Sequence, residues 1–151
     1  MAFAYKQGYY TPKNPDKYLG DPTKIRYMSS WELETHKFFD NNPNVIQWSS
    51  EEIAIPYIKP TDGKVHKYYP DYFVHYCTRH GELKWELIEV KPAQQTRQSR
   101  SRNQRTKLYE NLTYAINVCK WEQATKWCER QSQLTGKPIT FRIVTEISIF
   151  R

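Results

Sequence analysis

Residues 84–91, Lys-Trp-Glu-Leu-Ile-Glu-Val-Lys, constrain the fold of this chain more than any other stretch. The run has the length of a strand and is apolar on both faces. Side chains alternate along a strand, so Leu87 lies on one face while Ile88 and Val90 lie on the other. Such a strand is stable only where both sides are covered, which places it centrally in a sheet with a layer above and a layer below. Glu89 and Lys91 share a face at its end, and Pro92 stops it. A charge in an apolar strand is costly unless it has a partner, so the segment implies a site as well as a core.

The flanking segments complete a mixed α/β pattern. Residues 1–28 are rich in Tyr, Lys, Pro and Asp without a sustained period, and Pro12, Pro15 and Pro22 predict an N-terminal arm, extended or looped, lying on a single domain that spans residues 1–151. Ser29 with Glu32 has capping-box spacing and opens a helix whose partial apolar stripe runs through Trp31 and Leu33 to Phe38 and Phe39. Asn41, Asn42 and Pro43 end it. Residues 45–48 and 53–58 read as strands, with Pro56 placing the second at an edge or a bulge. Asp62-Gly63 is a hairpin turn. A return strand then carries Tyr68, Tyr69, Asp71, Phe73, Val74 and Tyr76, and residues 84–91 follow it. After a polar, basic stretch at 93–107, a helix is predicted from about residue 108 to 133, with Leu108, Leu112, Ala115, Ile116, Cys119, Ala124 and Trp127 facing inward. Gly136 and Pro138 close it, and a last strand alternates Ile139, Phe141, Ile143, Thr145, Ile147 and Ile149.

Composition narrows the function classes. With 38% hydrophobic and 26% charged residues the chain is globular rather than disordered. A formal net charge of +7 favours a polyanionic partner, of which nucleic acid is the commonest. Cys77, Cys119 and Cys128 are odd in number and widely spaced, which is no disulfide framework and fits a reducing compartment. His75, Cys77 and His80 lack both a standard zinc spacing and a fourth ligand. The first residues contain no apolar signal segment and no run approaches membrane-spanning length, so the expectation is a soluble protein acting inside a cell or inside something assembled there.

The chemistry centres on three residues. A hairpin between the strand bearing Pro70-Asp71 and the strand ending in Glu89-Val90-Lys91 can bring Asp71 beside Glu89. Two neighbouring carboxylates repel and hold their charge most easily with a cation between them. Oxygen ligands of this kind suit Mg²⁺ or Mn²⁺. A divalent ion there can stabilise charge on a phosphate and acidify a water, while Lys91 can orient or activate that water or hold the phosphate. Arg97, Arg100, Arg102, Arg105 and Lys107 follow at once, where phosphate binding is a better reading than a merely solvated run.

Asp71, Glu89 and Lys91, with Pro70 before them, resemble the PD-(D/E)xK nuclease motif. Glu32 stands where that family often has a further acidic residue on an N-terminal helix. The likeness extends through Asn42-Pro43-Asn44-Val45, Tyr69 to Tyr72, Ile88 to Lys91 and Phe141 to Glu146, and covers the chain from about residue 24 to its end. In these segments it is similar to the endonuclease subunit of heteromeric transposases and to the head completion nucleases of T-even-type tailed phages. The resemblance implies a restriction-endonuclease-like core with a mixed β-sheet flanked by α-helices. It also implies Mg²⁺-dependent hydrolysis of double-stranded DNA, with Asp71, Glu89 and Glu32 as metal ligands and Lys91 as a catalytic lysine. It further implies a role in finishing the DNA-filled head in the host cytoplasm, with phage head or neck proteins as partners. Glu32 also has a purely structural reading as a helix cap, with Glu34 the substitute acid if the helix is rotated. Lys91 departs from the pattern in being followed at once by Pro92 and the basic stretch, so DNA contacts there rest on the residues themselves. Two rivals remain: a DNA-binding head-closure protein that keeps the fold without catalysis, and a junction-resolving or repair nuclease with the same core. The paired carboxylates argue against the first.

Overall fold

A computed structural model describes residues 7–145. Along the chain run β1 (Gly8–Tyr10), β2 (Ile25–Tyr27), α1 (Ser30–Asn41), β3 (Val45–Ser50), β4 (Ile55–Ile58), β5 (Val65–Tyr68), β6 (Tyr72–Cys77), β7 (Leu83–Val90), α2 (Gln104–Thr135) and β8 (Ile139–Val144). The main sheet has the order β3-β6-β7-β8; β7 and β8 are parallel and the other pairs antiparallel. Parallel neighbours need a crossover, and α2 supplies it. This is the restriction-endonuclease-like α/β architecture, a mixed sheet flanked by helices.

β7 is covered on both faces. Ile88 belongs to one buried cluster with Phe39, Trp48, Tyr72, Val74 and Val144. Leu87 belongs to the other, with Ile55, Tyr57, Tyr68, Ala124 and Cys128 on the α2 side. Trp48 is wholly buried and its ring meets Tyr18 edge-on at 4.9 Å. Truncating such a residue to Ala costs about 3–5 kcal/mol.

The N-terminal segment is more structured than an extended arm. β1 pairs antiparallel with β2, and Tyr10, Tyr18 and Ile25 enter the Trp48 cluster. Asp40, at the end of α1, fastens it: the carboxylate accepts from the Tyr10 hydroxyl at 2.5 Å and from the backbone N–H groups of Lys13 and Asn14 at 2.7 and 3.0 Å. His36 ties α1 to both neighbours. Its Nε2 lies 2.8 Å from the Arg26 carbonyl, which can only accept, so Nε2 carries the proton and Nδ1 accepts from the Tyr72 hydroxyl at 2.8 Å.

Three expectations are corrected. The return strand is broken: β5 pairs with β4 in a separate two-stranded ribbon, β6 joins the main sheet, and Asp71 lies at the bend between them. The buried Pro70, with no N–H for a ladder, is where the chain changes sheets. The long helix begins at Gln104, because Asn103 caps it by accepting from Thr106 N at 3.1 Å, so Arg105 and Lys107 are helical. Its inward stripe also starts later: Leu108 and Leu112 are 63% and 46% exposed, Ala115 is exposed, and the buried positions are Asn117, Ala124 and Cys128. The packing of α2 on β4 and β8 is made by its later turns, through Ile116, Cys119, Trp121, Ala124, Trp127 and Cys128. The last strand ends at Val144; Ile147 and Ile149, expected in it, lie outside the described residues. No helix among the described residues is long and apolar enough to cross a membrane.

Candidate active site

The site forms where β6 begins and β7 ends. The antiparallel register pairs Tyr72 with Ile88, so Asp71, one step earlier, falls across from Glu89. Asp71 Oδ2 accepts from Val90 N at 2.8 Å, which fixes its carboxyl against the edge of β7. Glu89 is only 4% exposed and takes a hydrogen bond from the Tyr68 hydroxyl at the end of β5. Burial pushes the Asp71 carboxyl up to about 8; the Glu89 charge and a hydrogen bond between the two carboxyls push the same way, while the Val90 N–H and Lys91 oppose them. Without a cation the Asp71 carboxyl therefore keeps its proton at neutral pH, hydrogen-bonded to Glu89.

Lys91 lies one residue past β7, on the face of Glu89, with its N–H donating to Val144 O at 3.0 Å. The structure thus brings Asp71, Glu89 and Lys91 together. Among the described residues no three His, Cys, Asp or Glu side chains converge closely enough to cage an ion. Two carboxylates suffice for Mg²⁺, which keeps several waters and takes phosphate oxygens for the rest of its shell. The buried, mutually repelling oxygen pair fits such an ion.

Glu32 occupies the third position of α1. Its N–H donates to Ser29 Oγ at 3.1 Å and its carboxylate accepts from Met28 N at 2.6 Å, so it is a helix cap. It also lines a pocket of about 190 Å³ with Trp31, Ser50, Glu51, Asp71 and Val90. Glu89 is not in that lining. Glu34, the substitute acid, is exposed and pairs with Lys37 at 3.5 Å.

Sequence reasoning missed Glu51. It follows β3 at a φ of 53°, a left-handed backbone rarely adopted by a side-chain-bearing residue. Its N–H donates to Asp71 O at 3.1 Å, and burial, then the charges of Glu32 and Asp71, push its carboxyl up. Only the pairing of Ser50 with Tyr72 brings it there, and nothing local announces that register.

The basic stretch is ordered by its small polar residues. Ser99 N donates to Asn111 Oδ1 at 2.9 Å, Ser101 N to Ser99 Oγ at 3.2 Å and Asn103 N to Ser101 Oγ at 3.3 Å. The interleaved Arg100 and Arg102 are exposed, as are Arg105 and Lys107, while Arg97 is half-buried. None of these five joins an ion pair among the described residues. The first turn of α2 holds no acid, so Arg105 there, with Lys107 beside it, opposes the helix dipole without local compensation.

The model of the TnsA-like endonuclease N-terminal family matches residues 42–146. Asp71, Glu89 and Lys91 lie inside that range; Glu32 lies outside it. The chain is also 32% identical over 145 residues, covering 92% of its length and 90% of the relative's, to the head completion nuclease of Enterobacteria phage T4. No solved structure matches.

Proposed function

The chain belongs to the TnsA-like endonuclease N-terminal family, and from that premise we propose that it is a metal-dependent endonuclease that cuts double-stranded DNA during phage head completion. The observation that carries the reading is the buried Asp71–Glu89 pair. A protein that only binds DNA has no use for two carboxylates held against each other in an apolar strand, at a cost in stability.

Asp71 and Glu89 would hold Mg²⁺ or Mn²⁺, which when bound supplies positive charge for a phosphate and lowers the pKa of a water. The chain's own groups prepare that place. Val90 N–H orients Asp71, and the Tyr68 hydroxyl orients Glu89. Lys91, on the Glu89 face, is positioned to contact a phosphate oxygen or the attacking water. Glu32 combines its cap with a place in the Asp71 pocket, where it can act as a third acidic group. Arg97, Arg100, Arg102, Arg105 and Lys107 leave the same strand end and supply phosphate contacts along the duplex. Head or neck proteins as partners and the host cytoplasm as the place of action follow from the head-completion reading.

The test is incubation of the purified protein with supercoiled and linear duplex DNA, with and without Mg²⁺. Cleavage is expected only with the metal, and Asp71→Ala or Glu89→Ala should abolish it while the protein still folds. Wild-type cleavage by either variant would remove the pair from the chemistry.

A further inference from the structure

The face of α2 that looks toward the site carries a cation with no carboxylate partner among the described residues. Lys120 is half-buried, and its Nζ lies 5.7 Å from the ring centroid of Tyr57 and 5.6 Å from that of Tyr68. Those rings project from the β4–β5 ribbon on its α2-facing side, and Tyr68 is the residue that donates to Glu89. Lys120 makes no ion pair among the described residues. The charges that act on it are those of Lys91, Glu89, Lys59 and Asp71. Lys120 on α2 therefore stands over the ring of the tyrosine that holds Glu89, with Lys91 past the end of β7 and Lys59 just after β4 among the cations acting on it.

The ammonium itself lies over the two tyrosine rings, a cation–π arrangement that holds the charge in place beside the site without giving it an anionic partner. Lys91 and Lys59 repel it, and an anion lying between these ammonium groups would be attracted to all of them.

We propose, resting on the nuclease reading above, that Lys120 and Lys59 continue the phosphate-binding surface begun by Lys91. The sugar–phosphate backbone of a bound duplex then crosses from the end of β7 over α2 to the β4–β5 ribbon. The exposed Lys64 and Lys67 extend the same ribbon's positive charge.

The experiment measures binding of a labelled DNA duplex without divalent metal, at several salt concentrations, so that cleavage does not enter. Lys120→Met keeps the apolar stem and removes the charge. It should weaken binding to unrelated sequences alike and reduce the slope of log affinity against log salt by about 0.9, one phosphate contact. Lys120→Arg should restore the slope. Lys59→Met should lower it similarly and serves as the readout should Lys120→Met fail to fold. An unchanged slope in Lys120→Met, or in Lys59→Met where that serves as the readout, overturns the proposal, as does a loss in Lys120→Arg as large as in Lys120→Met. Wild-type cleavage with Mg²⁺ is scored separately: if it occurs while the slopes do not move, this surface fails and the nuclease reading stands. If the slopes move and no DNA is cut, the reverse holds.

Discussion

Replacing Asp71 with Asn should give a protein that is inactive yet more stable than the wild type when metal is absent. Burial beside Glu89 lifts the Asp71 carboxyl from an ordinary 3.8 to about 8. A carboxyl whose folded pKa lies above its unfolded one stabilises fully below the unfolded value and loses that contribution as pH rises through the folded value. From about pH 5 to pH 7 the folded protein holds about one more proton at the pair than the unfolded chain does. At about 1.4 kcal/mol per pH unit, this removes up to about 2–3 kcal/mol of stability across that interval. For a domain of this size the loss corresponds to a fall in melting temperature of about 5–10 °C. The amide introduced by Asp71→Asn would not titrate; its oxygen can still accept from Val90 N–H, and its NH₂ group can donate to Glu89. The assay is thermal unfolding in chelator from pH 5 to 8 for both proteins. His36 contributes an opposite slope, because burial holds its imidazole below the usual 6.5 and stability is lost as pH falls beneath that value; it is common to both proteins and cancels in the difference. Glu32, Lys91 and Lys120 are likewise common, whereas the part of the upward push on Glu51 that comes from Asp71 is lost in the variant and adds to the same difference. Adding Mg²⁺ or Mn²⁺ should raise the wild-type melting temperature at neutral pH and leave Asp71→Asn unmoved. Parallel pH profiles for the two proteins would refute the reasoning.

Glu32→Gln keeps an acceptor for Met28 N–H, so it should cost no more than about 1 kcal/mol of stability through the lost helix-end charge. Cleavage should nonetheless fall, and equal rates for variant and wild type would leave Glu32 as a cap alone. Replacing Arg97, Arg100, Arg102 and Arg105 together with Ala should weaken binding evenly across unrelated duplexes and lower the salt slope by about 0.9 for each phosphate no longer neutralised. An unchanged slope in binding isotherms would take this stretch out of the DNA interface.

What local chemistry governs was legible in the sequence alone. The two apolar faces of β7, the Ser29 cap, the Asp62-Gly63 turn and the Gly136 stop each depend on neighbours within a few residues, and side-chain period or backbone preference encodes them there. The pairing of Asp71 with Glu89 followed from two such strands and a tight turn. Tertiary structure decided what depends on distant partners. The break at Pro70 arises because β5 pairs with β4 while β6 pairs with β3 and β7. The exposure of Leu108 and Leu112 depends on which turns of α2 reach the sheet. Glu51 and Lys120 reach the site only through the β3–β6 register and the packing of α2 on the β4–β5 ribbon. Periodicity says which face of an element is apolar, but the partner of that face is set by burial summed over the whole chain, and no window of sequence contains it.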